Sequence, residues 1–291
     1  MKPAPFEYVA PESLPVALEA LKHHGSDAKI LAGGQSLMPL LNLRLLKPSV
    51  IIDLNQIDEL SYIVELPAGL SIGAMTRQSK IEDSELIRRR CPLISEATKH
   101  IGHVAIRHRG TVGGSLVHAD PSAELPAVAL ALDANFQVVG TRGIRTIPAQ
   151  QFFLDYLTTA IGPDEILKEI TFPAMQPNAG YAVLEVARRH GDFALAGVVT
   201  VLNLDAGGKI ADVRIALFGV ALTAVRALKT EEALKDHKPD LNIFREAVAL
   251  LDEAMEPLSD IHASAEYRRQ VAASLTVRAL EKALSRSGRG V

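Results

Sequence analysis

One cysteine, Cys91, stands in 291 residues. It cannot close an internal disulfide, and it cannot supply a four-thiolate zinc or iron–sulfur site. Any such cluster that works with this chain has to sit on another polypeptide. Aromatic residues are also scarce, at 4%. Neither charge dominates: 31 Lys and Arg face 34 Asp and Glu, a formal net of -3. There is thus no polybasic footprint for nucleic acid or anionic lipid. No apolar run approaches the roughly 20 residues that cross a bilayer. The opening Met1-Lys2-Pro3-Ala4-Pro5 has no apolar leader segment. These absences describe a globular, soluble chain of a reducing compartment, expected in the cytoplasm, without nucleic-acid binding or membrane insertion. What is abundant is aliphatic. Hydrophobic residues make up 48% and the mean hydropathy is +0.15. That surplus points either to some surface buried against a partner or to large cores alone. At roughly 100–200 residues per domain, the length suggests two domains.

The pattern predicts a β-loop-α-β unit at the start: helix Ser13–His24 capped by Ser13 and stopped by Gly25, strand Lys29–Ala32, helix Ser36–Leu46 and strand Val50–Leu54. A small parallel sheet follows from that order. Strands Ser61–Leu66 and Leu70–Ala74 flank Pro67-Ala68-Gly69 as a hairpin. Residues 81–102 are helical with a break at Pro92, 107–119 form a structured loop, and 122–132 are helical again. Phe136–Val139, Ile144–Ile147 and Ile166–Phe172 are strand candidates, so the first domain is α+β. Pro173–Gly180 reads as the linker, which places a first domain at 1–177 and a second at 178–291. The second has strands Tyr181–Ala187, Ala196–Leu204 and Ile210–Phe218, with a tight turn at Gly207-Gly208. Helices follow at Thr223–Lys229, Leu241–Ala254 and Ser264–Leu284, the last with a stripe of Tyr267, Val271, Leu275, Ala279 and Leu280.

Two glycine pairs echo each other: Ala32-Gly33-Gly34-Gln35-Ser36-Leu37 and Val112-Gly113-Gly114-Ser115-Leu116. Adjacent glycines can take positive φ and leave the peptide edge bare. Their N–H groups then form a nest for an anion, which the following helix and the Ser36 hydroxyl reinforce at the first loop. No Lys or Arg lies between Leu31 and Leu43, so backbone amides and hydroxyls would have to hold a diphosphate. Such a loop suits a tightly kept dinucleotide and suits a triphosphate poorly. Neither Gly-x-Gly-x-x-Gly nor a Gly-Lys-Ser/Thr loop is present. The competing account of each pair is a plain tight turn.

Other segments carry weaker signals. His100, His103, His108, His118 and Asp120 could be read as metal ligands, but their spacing fits no compact metal pattern. A polar or cofactor-lining loop is the alternative. Glu124 opens a helix, where an acid favours the dipole, the reading that local chemistry favours; the alternative is that it accepts hydrogen bonds from sugar hydroxyls. Arg188-Arg189-His190-Gly191-Asp192-Phe193-Ala194 is either a solvated turn or a turn that aims Phe193 over a planar cofactor. No nucleophile elbow is present. Cys91, before Pro92 in an apolar stretch, reads as buried.

Taken together, these motifs resemble the FAD-binding medium subunit of the molybdenum hydroxylases, the family of carbon monoxide dehydrogenases, xanthine dehydrogenases and aza-arene hydroxylases. The resemblance runs nearly end to end. Its markers are Ala32–Ser36, Ile72-Gly73-Ala74, Arg107-x-Arg109-Gly110-Thr111-Val112-Gly113-Gly114-Ser115, Asp120-Pro121-x-x-Glu124-Leu125-Pro126 and Arg188-Arg189-x-Gly191-Asp192-Phe193-Ala194. It implies an FAD-binding domain of the vanillyl alcohol oxidase and cell-wall reductase type, with two α/β subdomains. A C-terminal domain of three antiparallel strands and a helical bundle would close over the flavin. By motif position, Ala32, Gly33, Gly34, Gln35 and Ser36 would hold the diphosphate, with Leu37 beside them. Thr111, Gly113, Gly114 and Ser115 would hold the second side of FAD. Glu124, with Asp120 close by, would bind ribityl or ribose hydroxyls. Leu167 would touch the cofactor through its backbone, Ile101 through its apolar side chain, and Phe193 would lie near the ring. Some members carry a lysine shortly before the paired arginines, where this chain has Leu184-Glu185-Val186, so no basic flavin contact is carried over. The resemblance further implies a large molybdenum–pterin partner and a small partner with two [2Fe–2S] clusters, arranged as a dimer of heterotrimers. In that setting the chain passes electrons from the clusters through FAD to an external acceptor. No side chain is assigned as acid or base. A self-sufficient flavin oxidase and a flavin-free scaffold are the alternatives.

Overall fold

The computed structural model describes residues 1–288. The chain starts with strand β1 (Glu7–Val9), helix α1 (Leu14–His24), β2 (Ala28–Leu31), α2 (Leu37–Asn42) and β3 (Val50–Asp53). β3 lies between β1 and β2 and pairs parallel with both. α1 buries Leu14, Ala17 and Leu21 against Ala28, Val50 and Ile52, which gives this subdomain its own core. Periodicity missed β1, which is three residues long and largely exposed. Ser13 sits at the helix start, but its side chain makes no capping bond. Glu59 Oε1 accepts the Leu14 N–H instead, at 3.0 Å. α2 stops at Asn42, short of the expected Leu46, because Arg44 takes φ +58° and Leu45 N–H turns back to Leu40 O.

The second subdomain follows: β4 (Ile63–Leu66), β5 (Gly69–Gly73), α3 (Gln78–Asp83), α4 (Glu85–Arg90), α5 (Pro92–Thr98), α6 (Val104–Arg109), α7 (Val112–His118) and α8 (Glu124–Ala131). It continues with β6 (Asn135–Gly140), β7 (Gly143–Pro148), α9 (Ala149–Phe152), β8 (Phe153–Asp155), β9 (Thr158–Thr159) and β10 (Glu165–Pro173). Five strands form an antiparallel sheet in the order β4-β5-β10-β6-β7, with β8 and β9 a separate small hairpin. The helical stretch expected over 81–102 is three short helices. Ser84 caps α4 through its Oγ, and Pro92 opens α5 rather than merely breaking a helix. The loop expected over 107–119 is also helical, as α6 and α7.

The C-terminal module has β11 (Gly180–Ala187), β12 (Ala194–Leu204), β13 (Ile210–Phe218) and β14 (Val225–Arg226), in that order in one antiparallel sheet. Helices α10 (Leu228–Leu234), α11 (Leu241–Val248) and α12 (Ala265–Arg286) complete it. The expected three strands are four. β14 takes the start of the segment expected to be helical from Thr223, because Val225 and Arg226 pair with Leu217 and Ala216. α10 therefore begins at Leu228. Both faces of β12 are covered, so its burial does not alternate. One face packs on α10–α12; the other joins Val183, Val199 and Phe218 to the core built on α5 and α8. On α12 the buried stripe includes Arg268, Ala272, Leu275, Thr276, Ala279 and Leu280, whereas Tyr267 is exposed. The Arg268 guanidinium reaches Leu195 O, Gly219 O and Asp260.

Polar contacts tie the C-terminal module to the helices of the first. Arg226 donates to Leu130 O, Arg214 pairs with Asp133 at 2.6 Å, and Gly219 N–H donates to Pro121 O at 2.7 Å. Glu96 of α5 receives both Lys282 (3.0 Å) and Arg286 (2.8 Å) of α12. Burial alone would raise the Glu96 pKa, but the two cations outweigh it and hold the carboxyl below its ordinary value. The stability from this contact is therefore full near neutral pH and is lost as pH falls through the native pKa. Glu96→Gln should cost about 1 kcal/mol at neutral pH, the scale of a partly screened ion-pair network. In urea melts of both variants, the gap should close in acid.

Candidate cofactor site

After β2 the chain turns at Gly33-Gly34, with Gly34 at φ +73°. Met38 N–H donates back to Gly34 O at 3.0 Å, which starts α2. The N–H groups of Gly33, Gly34, Gln35 and Ser36 donate to no other group among the described residues. Four successive unspent donors on a half-buried turn suit an anionic or polar ligand. Ser36 makes no capping bond with its own side chain, Leu37 begins α2, and Gln35 is exposed with Nε2 folded onto Gly33 O at 3.1 Å.

Gly33 is a close-approach glycine. A Cβ there would lie 2.5 Å from Arg109 O and 2.7 Å from Gly110 Cα. The two glycine segments, about eighty residues apart in sequence, thus meet backbone to backbone. They are not equivalent. Gly113 and Gly114 lie in the first turn of α7, neither at positive φ. Val112 N–H donates to Thr76 O, Gly113 N–H to Ala74 O, and Gly114 N–H to Thr111 Oγ1. No nest forms there, because its donors are already spent. These glycines serve packing: a Cβ on Gly113 would stand 2.6 Å from Ala74 Cβ, and one on Gly114 would stand 3.4 Å from Ala32 Cβ. Thr111 is buried as the cap of α7, and Ser115 is half-buried one turn along.

Two residues outside the sequence motifs lock this junction. Asn55 Nδ2 donates to Ala32 O at 2.9 Å, and Asp53 accepts from the Asn55 side chain. The Arg77 guanidinium donates to Asn55 Oδ1 at 2.6 Å and to Arg109 O, the carbonyl that Gly33 packs against. A cation therefore stands at a loop that has none within its own sequence. Burial, followed by repulsion from Arg109, lowers the Arg77 pKa, and Asp53 opposes the shift. Arg107, buried, clamps Glu82 at 2.7 Å and the carbonyls of Ile101 and Gly102.

Of the remaining candidates, Glu124 opens α8, which packs on the C-terminal sheet. Glu124 is the first residue of α8 and is only 7% exposed. Its pKa is pushed up to about 8, first by burial, then by the charges of Glu185 and Asp120. Asp120 folds onto Ser122 N–H at 2.8 Å. On β11, Glu185 Oε1 lies 3.3 Å from His100 Nδ1, while its buried Oε2 has no partner. The Gly191 turn rests on Gly102 and His103, and the His103 and His190 rings stand 6.4 Å apart. Ile101 is half-buried beside this contact, and Phe193 is 63% exposed at its rim. Leu167 is buried in β10, next to a bulge that shifts the register before Glu169. The structure thus brings Ala32–Leu37 together with Thr111–Ser115, and joins Glu124 and Asp120 to the seam. His100 and His103 turn to Glu185 and His190, not to a common centre. Cys91 donates to Pro173 O, and burial pushes its thiol up to about 11, so it is inert.

Residues 4–175 match the family described as FAD binding domain in molybdopterin dehydrogenase, and residues 181–283 match the CO dehydrogenase flavoprotein C-terminal domain. The chain belongs to the FAD-binding medium subunits of the molybdenum hydroxylases. Subunit alpha of the 6-hydroxypseudooxynicotine dehydrogenase complex of Paenarthrobacter nicotinovorans is 40% identical over 99% of this chain and 97% of that one. The carbon monoxide dehydrogenase medium chain of Hydrogenophaga pseudoflava is 38% identical over 98% of this chain and 99% of that one. A solved structure of carbon monoxide dehydrogenase from H. pseudoflava superposes with a TM-score of 0.97, covering 99% of this chain and 100% of the other at 38% identity. This medium subunit is thus part of an oxidoreductase whose own cofactor is FAD. No helix among its described residues is long and apolar enough to cross a membrane.

Two outcomes follow for the medium subunit. Arg77→Ala leaves Asn55 and the Arg109 carbonyl without their cation and should lower thermal stability by about 2 kcal/mol, the scale of hydrogen bonds to a charged group. Arg77→Lys should restore only part of it. The raised Glu124 pKa means that the folded flavin-free chain holds a proton the unfolded chain gives up, so stability falls as pH rises from about 4.5 to about 8. Glu124→Gln should therefore stabilise the flavin-free chain by on the order of 1–3 kcal/mol near the top of that range and by nothing at its bottom, read from denaturant melts across pH.

Proposed function

We propose that this chain is the electron-transfer flavoprotein of its complex. It takes electrons from the [2Fe–2S] clusters of a small partner and delivers them to an external acceptor. A large partner carries the molybdenum–pterin centre and the substrate pocket, and the complex is a cytoplasmic dimer of heterotrimers. One observation supports the cofactor assignment above all others: the row of unspent N–H groups from Gly33 to Ser36, held in place by the Gly33 contact with Arg109–Thr111.

The residues suit FAD in chemical kind as well. Gly33, Gly34, Gln35 and Ser36 offer donors for the diphosphate, with Ala32 and Leu37 flanking them and Arg77 near enough to offset charge. Thr111, Gly113, Gly114 and Ser115 supply a wall on the second side of the cofactor, and the close packing of the two glycines on Ala74 and Ala32 holds that wall beside the first loop. Glu124 and Asp120 offer acceptors for polyol hydroxyls. Leu167 offers backbone, and Ile101 and Phe193 offer apolar surface to the ring. When bound, FAD supplies the exchange between one-electron and two-electron carriers. The chain's part is to hold the cofactor, to set its surroundings and to limit access at the Phe193 rim. Its one thiol is buried and protonated, so clusters belong to the partner.

Purified chain incubated with FAD and freed of excess should carry flavin in equimolar amount. Gly34→Val should abolish that retention while the far-ultraviolet circular dichroism is kept. A β-branched residue at φ +73° is strained, and its Cβ would crowd Leu31 and Met38. Parent chain that stays colourless after incubation would contradict the assignment.

A further inference from the structure

From Ile30 to Leu43 no residue carries a charge. Part of that stretch nevertheless lies on the surface. Helix α2 turns Leu41 into the core and leaves Met38 and Pro39 exposed. Leu43 follows one turn after Pro39, whose carbonyl accepts its N–H at 2.9 Å, and it is 52% exposed. Leu45 is 67% exposed. An exposed helix face ordinarily carries charged or polar side chains. An apolar stripe in their place marks a surface that meets another molecule.

The turn after α2 holds that stripe out. Arg44 takes φ +58°, a conformation that glycine adopts freely and arginine does not. Three bonds keep it there: Arg44 N–H donates to Leu41 O at 3.0 Å, Leu45 N–H to Leu40 O at 2.9 Å, and Arg44 Nε–H to Lys2 O at 3.1 Å. Leu46 is half-buried, while Leu43 and Leu45, on either side of Arg44, stand in solvent. The backbone is thus ordered before any partner arrives, which removes part of the cost of binding. The edge of the stripe is basic. Arg44 and Lys47 are exposed, and neither pairs with an acid among the described residues. Lys29 and Lys47 share a shallow depression beside the turn with one acid, Asp27. An apolar centre with a positive edge fits an apolar groove edged by carboxylates.

We infer that the α2 face, centred on Leu43 and Leu45 and edged by Arg44 and Lys47, is the docking surface for the cluster-bearing partner. The inference rests on the electron-transfer role proposed above. α2 starts directly after the Gly33–Ser36 loop and spans six residues, about 9 Å at 1.5 Å per residue. A protein seated on its outer face therefore stands beside the cofactor loop. Electron transfer weakens steeply with distance, so the partner that delivers electrons to FAD is the one that must stand there. The partner that holds the substrate pocket has no such requirement.

The one thiol of the chain, Cys91, is buried, so a cysteine placed at the edge of the stripe can be labelled alone. Lys47→Cys leaves both leucines in place. Carrying a short photoactivated crosslinker, this variant is assembled into the native complex and irradiated. The adduct should have the mass of this chain plus the cluster-bearing subunit. An adduct with the molybdenum-bearing subunit, one with a second copy of this chain, or none at all in an assembled complex would overturn the inference and leave the electron-transfer role standing. In a second measurement, Leu43→Ser/Leu45→Ser should keep the circular dichroism of the parent, since both side chains are in solvent, and should lower by about tenfold or more the iron that co-purifies with the chain. Iron retained at the parent level overturns the inference. A parent chain that purifies with no cluster-bearing protein overturns the electron-transfer role and this inference with it.

Discussion

At Gly33 two stretches of main chain touch with no side chain between them, and the rest of the site depends on that contact. The carbonyl of Arg109 and the Cα of Gly110 occupy the space a Cβ would need. Arg77 grips the same carbonyl, and Asn55 ties Arg77 to Ala32. The parallel sheet supplies Ala32 and Asn55; the helices beyond β5 supply Arg77 and Arg109. The junction therefore joins the two halves of the FAD-binding region, and it leaves the amides of Gly33–Ser36 without an acceptor among the described residues. Interior packing of this kind leaves little room to adjust, so the donors are fixed in place before any ligand arrives.

The C-terminal module is bound by a different logic. Its sheet is covered on both faces, and most of its seam with α5 and α8 is closed apolar core. Polar groups stand at its edge, where His100 meets Glu185 and the Gly191 turn rests on Gly102 and His103.

Much of this could be read from residue order. The parallel β-loop-α-β start, the antiparallel strands after it, and the sheet-then-helix order of the last third all follow from periodicity and turn residues. The first glycine pair also behaves as its chemistry suggests. The second does not: glycine is a poor helix former, so Val112–Ser115 resembles a loop, yet the carbonyls of Ala74 and Thr76, far upstream, capture the amides of Gly113 and Val112. Arg77 and Asn55 carry no motif, and only the fold brings them to Ala32. The burial of the Glu185 side chain was equally hidden, since an acid between Leu184 and Val186 in a strand resembles any solvated position opposite a core face. β14 escaped because two residues carry no period. In each case the deciding contact is long-range, which local patterns do not encode.

Hydrogen–deuterium exchange of the backbone amides, with and without FAD, tests the central claim most directly. If the diphosphate is held by the unspent donors, adding FAD should slow exchange at Gly33, Gly34, Gln35 and Ser36 strongly. The amides of Val112, Gly113 and Gly114, already bonded within the protein, should change little by comparison. Exchange at Gly33–Ser36 that is the same with and without bound FAD would contradict the account.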